Sequence, residues 1–162
     1  MLTKNLGKAL NRQFIDELKT AYVYLNLSAR LEHFSVPGAA KWMRSLSNEE
    51  LERAGQIYDF LTNNGFDVSF EKLDKPSVCK LSSPEDVFKA ALKQENTASD
   101  KLKELSELAI AESDFPAFKL LNNFALGQVS VERRLLWYLD ELQTNGSLEN
   151  VNSFPDSYYW KT

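Results

Sequence analysis

Four long stretches of this chain carry apolar residues at helical spacing, and each stripe is broken near its middle by one polar residue. Leu10 and Tyr24 flank Glu17, Met43 and Ile57 flank Glu50, Phe88 and Leu102 flank Glu95, and Leu121 and Leu135 flank Gln128. Residues seven apart on a helix lie on nearly one face, so all four breaks point toward the core. A carboxylate buried alone costs several kcal/mol, so three at one level require a metal or a counter-charge. A fifth break supplies a counter-charge: Arg53, between Leu46 and Phe60 and one turn after Glu50.

The stripes define four helices. Helix A is expected from about Leu6 to His33, through Leu10, Phe14, Leu18, Tyr22, Leu25 and Ala29. Ser35 reads as the N-cap of helix B, with Pro37 in its first turn and Asn63-Asn64-Gly65 at its end. Residues 66–82 lack a sustained period. Helix C opens at Ser83-Pro84-Glu85-Asp86, a cap, a proline and two acids that suit the helix dipole, and ends near Glu112. Asp114-Phe115-Pro116 starts helix D, which stops at Asn145-Gly146. Each helix is roughly 42 Å long at about 1.5 Å per residue.

Short A–B and C–D connections make antiparallel hairpins, and the long B–C connection spans the bundle, so B and C run parallel. One long crossover in four helices is the ferritin-like all-α topology. The bundle occupies residues 1–146. Residues 147–162 form a tail with Pro155 and the cluster Tyr158-Tyr159-Trp160, room for one short fifth helix at most.

A chain of 162 residues is the size of one domain. Its net charge of −4, with acids and bases interleaved, argues against nucleic-acid binding, which uses a basic face. Cys79 is the only cysteine, which excludes an internal disulfide and suits a reducing compartment. No stretch has the length and apolarity of a signal peptide or a membrane span, so a cytoplasmic location without membrane contact is expected.

Specific strings then carry a family resemblance. Leu10-Asn11-Arg12-Gln13, Glu17-Leu18 and Ala21-Tyr22-Val23-Tyr24-Leu25 lie in register with Pro37-Gly38-Ala39-Ala40-Lys41-Trp42-Met43-Arg44, Glu49-Glu50 and Ile57-Tyr58-Asp59-Phe60-Leu61 before Gly65. Together they resemble ferritin of the non-haem type across nearly the whole chain. That resemblance implies a ferroxidase centre inside the bundle that oxidises Fe(II), and a hollow shell of 24 subunits that stores ferric mineral. It also implies roles for residues. Glu17, Glu50, Glu95 and Gln128 match the family's iron-site positions, and Tyr24 its nearby tyrosine. Oxygen donors of this kind suit iron.

Two positions depart from the family pattern. Its Glu-x-x-His on helix B reads Glu50-Leu51-Glu52-Arg53, and the slot three residues after Gln128, a glutamate in many bacterial members, is Val131. Glu132 lies one residue off the needed face. Arginine keeps its proton at any usable pH and has no lone pair to give a metal. Arg53 is instead expected to donate fork-like hydrogen bonds to Glu50 and to Glu17 or Glu95, resembling animal light-chain ferritins, which lack the oxidation centre. Iron binding is then weak or partial. His33, the only histidine, stands about 24 Å from Glu17 along the helix at about 1.5 Å per residue.

Plainer readings stand beside these. Glu17, Glu50 and Glu95 with Arg53 also read as a structural ion-pair network, Gln128 as a buried hydrogen-bonding residue, and Cys79 as a passive loop residue. Glu49 and Glu52 share a face with Ser45 and Asn48 that would line a shell's cavity, either as a mineral-collecting patch or as a solvated helix face. Glu52 stands near the position of the haem-binding methionine of bacterioferritins, so no haem is expected. A miniferritin would need histidines inside helix A, and a rubrerythrin a Cys-x-x-Cys domain. Two functions remain: an iron-storage subunit with weakened oxidation, acting alone or beside an active ferritin subunit, and a shell subunit with no working di-iron site. Trp42, Trp137 and Leu27 are expected to be exposed for assembly.

Overall fold

In the structure, a computed structural model that describes residues 1–76 and 80–148, the chain forms four helices: α1 (Lys4–His33), α2 (Pro37–Asn63), α3 (Pro84–Ala111) and α4 (Phe115–Asn145). Their starts are written in the capping residues. Thr3 Oγ1 accepts from the Leu6 amide at 3.1 Å, Ser83 Oγ from the Asp86 amide at 3.2 Å, and Asp114 Oδ1 from the Ala117 amide at 3.0 Å. Gly146 adopts φ 71° beyond α4, a left-handed conformation that costs glycine little.

Ser35 does not cap α2. The N-cap is Val36, which offers no side-chain acceptor, and α2 starts with Pro37, which has no amide hydrogen to satisfy. Ser35 instead closes α1. At φ 59° its amide donates to Glu32 O at 3.0 Å while the Val36 amide donates to Leu31 O at 3.0 Å. That pair of bonds is a Schellman ending, and Ser113 repeats it after α3 at φ 57°. A residue spent on ending one helix is no longer extended enough to cap the next.

Side-chain bridges fix the helix directions. Ser28 Oγ donates to Ala40 O and Ser47 Oγ to Ala21 O, both at 2.7 Å, so α1 and α2 run antiparallel. Lys101 meets Asp16 at 2.7 Å and Gln94 donates to Thr20 at 3.0 Å, so α1 and α3 are antiparallel as well. Hence α2 and α3 are parallel, as one long crossover requires. That crossover is tied along α1. Asn11 exchanges hydrogen bonds with Ser69 at 2.9–3.1 Å, and Arg30 Nη2 donates to Leu81 O at 2.9 Å. The expected short helix in the tail, and Cys79, lie outside the described residues.

The bundle holds two apolar clusters rather than one. Tyr24, Leu27, Leu31, Met43, Phe88, Leu135 and Tyr138 belong to the first. Leu6, Leu10, Phe14, Ile57, Leu61, Leu102, Leu121 and Phe124 belong to the second. Every polar interruption has one heptad neighbour in each cluster, so the breaks form a belt between two cores. Two assembly residues expected outside are inside: Leu27 is fully buried and Trp137 only 6% exposed. Trp42 is half-buried under Arg134, whose guanidinium carbon lies 4.3 Å from the ring centroid. Among the described residues, Tyr22, Leu25, Leu51, Tyr58, Phe70 and Leu73 are the large apolar side chains that α1, α2 and the crossover expose.

Candidate metal centre

Glu17 on α1, Glu50 on α2, Glu95 on α3 and Gln128 on α4 are each buried to 5% exposure or less. The belt therefore brings one residue from every helix to the middle of the bundle, where burial raises the cost of any uncompensated charge.

Each group has a partner supplied by chain geometry. Gln13, one turn before Glu17 on the same face of α1, donates from Nε2 to Glu17 Oε1 at 2.6 Å. Tyr24 donates its hydroxyl to Glu95 Oε1 from α1 to α3. Gln128 Oε1 accepts from Ser99 Oγ at 3.1 Å, which joins α3 to α4. Arg53 Nη1 stands 3.4 Å from Glu50 Oε1, with the Arg53 side chain 12% exposed. Glu95 Oε2 is buried and accepts no hydrogen bond.

Protons make up much of the missing charge. Burial pushes the Glu50 carboxyl up to about 10, with the hydrogen bond to Glu17 and that carboxylate's charge acting in the same direction; Arg53 opposes them. At neutral pH Glu50 is thus a neutral acid sharing its proton with Glu17. Burial also raises Glu95, against the pull of the Tyr24 hydroxyl and of Arg53. Tyr24 is raised well above its ordinary value by burial first and by the charge of Glu95 next, so its hydroxyl keeps the proton it donates.

Arg53 departs from the expected fork. Its one hydrogen bond to the carboxylates is the long contact with Glu50, and the guanidinium otherwise faces α4, its carbon 5.6 Å from the centroid of Phe124. It acts on Glu95 through its field. As the side chains stand, the described residues include no group of three or more His, Cys, Asp or Glu arranged to hold a metal ion.

Other candidate residues lie apart from this belt. Glu49 and Glu52 are exposed on the other side of α2, and His33 is exposed at the end of α1, its ring edge on Phe34. Val131 is buried at 7% exposure in the first apolar cluster, one turn after Gln128 on α4. Sequence reasoning passed over Gln13, Ser99 and Gly127. Gln13 had a signal in its four-residue spacing from Glu17, and Gly127 in being a glycine in the middle of a long helix.

Comparison with known proteins agrees with this architecture. The family model described as ferritin-like domain matches residues 7–145. Bacterial non-heme ferritin of Staphylococcus epidermidis is 32% identical over 146 residues, covering 90% of this chain and 87% of that protein. The Escherichia coli protein of the same name is 27% identical over 146 residues, covering 90% and 88%. Among solved structures, an open-pore ferritin from the archaeon Archaeoglobus fulgidus superposes with a TM-score of 0.84 at 27% identity, over 93% of this chain and 91% of that one. A PmFTN variant soaked in iron gives 0.85 at 29% identity, over 93% and 100%. With four helices, a single crossover and a family match across nearly its full length, the chain belongs to the ferritin family.

Proposed function

We propose that this chain is an iron-storage subunit of the ferritin class whose oxidation centre is weakened by Arg53 and Val131. Fe(II) is the substrate. Glu17, Glu50, Glu95 and Gln128 are its donors, Tyr24 orients Glu95, and ferric mineral collects in a hollow shell of 24 identical subunits in the cytoplasm, with Glu49 and Glu52 contributing at the inner wall. Each Fe(II) gives one electron to oxygen, so reduction of O2 to peroxide needs two ions and two protons. No haem takes part.

One observation carries the reading: a guanidinium, rather than a neutral ligand, stands beside Glu50 in the carboxylate belt. At an effective dielectric of about 20, a unit positive charge about 4 Å from a divalent ion costs roughly 8 kcal/mol before relaxation. Fe(II) must also displace the proton held between Glu50 and Glu17, and a metal that releases protons binds more weakly as pH falls. Both effects oppose a second ion more than a first, so oxidation is slow rather than absent. The iron-soaked relative and the non-heme ferritin names support iron as the cargo.

Stopped-flow mixing of Fe(II) and oxygen tests the reading. The expected trace is one slow phase followed by mineral growth, and a rapid phase that consumes two Fe(II) per subunit overturns it. A second reading is a shell subunit with no iron site of its own that assembles beside an active ferritin subunit, with Arg53 taking the place of a metal beside Glu50. Anaerobic Fe(II) titration separates the two, since the second predicts no binding in the belt.

A further inference from the structure

Glycine is disfavoured in the interior of a helix, yet Gly127 sits in the interior of α4 with no turn there to require it. A Cβ at this position would stand 2.9 Å from Nη2 of Arg53, and beyond the chain neighbours and the helix's own backbone no other heavy atom comes within 4 Å. Phe124, one turn earlier on α4, presents its ring to the same guanidinium at 5.6 Å. Glu50 holds the other end of the group through Nη1 at 3.4 Å. The planar guanidinium is therefore bounded by a carboxyl on α2, an aromatic ring on α4 and the bare backbone of residue 127, where a Cβ would require the tip of Arg53 to shift.

We infer that Gly127 is a positioning residue for Arg53: the missing side chain forms the seat that holds the guanidinium between α2 and α4, beside the carboxylate belt. This deepens the proposed function and rests on it, since the seated cation is what keeps iron from the belt. It also makes Arg53 a fitted occupant rather than a passing one. Residue 127 on α4 and residue 53 on α2 form one unit.

The assembled protein allows a double-mutant cycle, with thermal midpoints compared at one scan rate. Gly55 on α2 is the control, because a Cβ there meets nothing within 4 Å. Gly55→Ala is expected to raise the midpoint by about 2–4 °C in both the parent and the Arg53→Ala backgrounds. Gly127→Ala is expected to raise it by as much only beside Arg53→Ala, and to leave it unchanged or lowered when Arg53 is present. An equal rise in both backgrounds overturns the seat.

A second measurement reads position rather than packing. Gly127→Leu fills the seat, and Co(II) titration of the assembled protein is expected to show binding at least tenfold tighter than in the parent, as with Arg53→Ala. Unchanged Co(II) affinity in Gly127→Leu, where Arg53→Ala does tighten it, overturns the positioning role. If Arg53→Ala itself fails to tighten binding, the occlusion in the proposed function is wrong, and the midpoint cycle alone decides the seat.

Discussion

The Tyr24 hydroxyl donates to Oε1 of Glu95 across the α1–α3 interface, while Oε2 of the same carboxyl is buried with no donor. One oxygen is thus held and the other left without a partner. This puts an unmet cost in the middle of the bundle. Removing the hydroxyl would leave both oxygens unmet. Tyr24→Phe is therefore expected to lower unfolding stability by about 1–3 kcal/mol, the usual penalty for a buried group deprived of its partner. Chemical denaturation of the parent and variant checks the loss. Glu95→Gln in the Tyr24→Phe background should recover part of it by removing the carboxyl's tendency to ionise.

The raised Glu50 carboxyl sets the sign of a pH dependence. Its folded value of about 10 lies above its ordinary value of 4.5, so between those pH values the folded state holds a proton that the unfolded state has released. Stability is then greatest below the ordinary carboxylate range and declines as pH rises toward 10, by at most about 1.4 kcal/mol per pH unit for one proton. Glu95, raised as well, acts in the same direction. Glu50→Gln keeps a donor toward Glu17 and cannot ionise. Denaturation midpoints taken from pH 5 to pH 9 should fall less steeply for Glu50→Gln than for the parent, and equal slopes would show that Glu50 does not carry the effect.

How much of this was legible in the chain depends on the kind of interaction. The belt of Glu17, Glu50, Glu95 and Gln128 was legible because heptad spacing is a property of one helix at a time, and a polar break in an apolar stripe needs no tertiary information. The helix ends read well where a side chain caps its own helix, as Ser83 and Asp114 do, and failed at Ser35, where two helices compete for one residue. Leu27 and Trp137 were misplaced because which flank of a wide apolar stripe meets a neighbour depends on packing between helices. The direction taken by Arg53 was hidden for the same reason. Its side chain lies against Phe124 and Gly127, more than seventy positions away in the chain.

Assembly is open to a direct test. Phe70 is 69% exposed and packs its edge on Phe14, beside Tyr58, at the place where the crossover lies on α1. Leu25 and Leu73 are further exposed apolar residues of α1 and the crossover, and exposed apolar surface of this kind marks contacts between subunits. Sedimentation of the parent is expected to give a large closed shell, and Phe70→Asp a smaller species of unchanged helical content. A parent that sediments as a monomer or dimer at micromolar concentration counts decisively against the shell.

Iron oxidation should respond to Arg53 and to Val131 in sequence. Arg53→His removes a permanent positive charge from beside Glu50 and supplies a neutral imidazole three residues after that carboxylate, a donor suited to iron. Oxygen uptake on adding Fe(II) is expected to rise at least severalfold, with helical content and shell size unchanged. The gain should be incomplete, because Val131 still leaves α4 without a carboxylate facing the belt. Adding Val131→Glu supplies that donor and one more negative charge, and the pair should approach a rapid phase consuming two Fe(II) per subunit. Alone, Val131→Glu should do little for oxidation, since its carboxylate would meet the field of Arg53 before any iron. It should also destabilise the protein, as a carboxyl in a site only 7% exposed is costly without a metal. Should Arg53→His leave the rate unchanged while Fe(II) binding and fold are intact, the guanidinium is not what slows the centre, and the missing carboxylate at 131 becomes the cause.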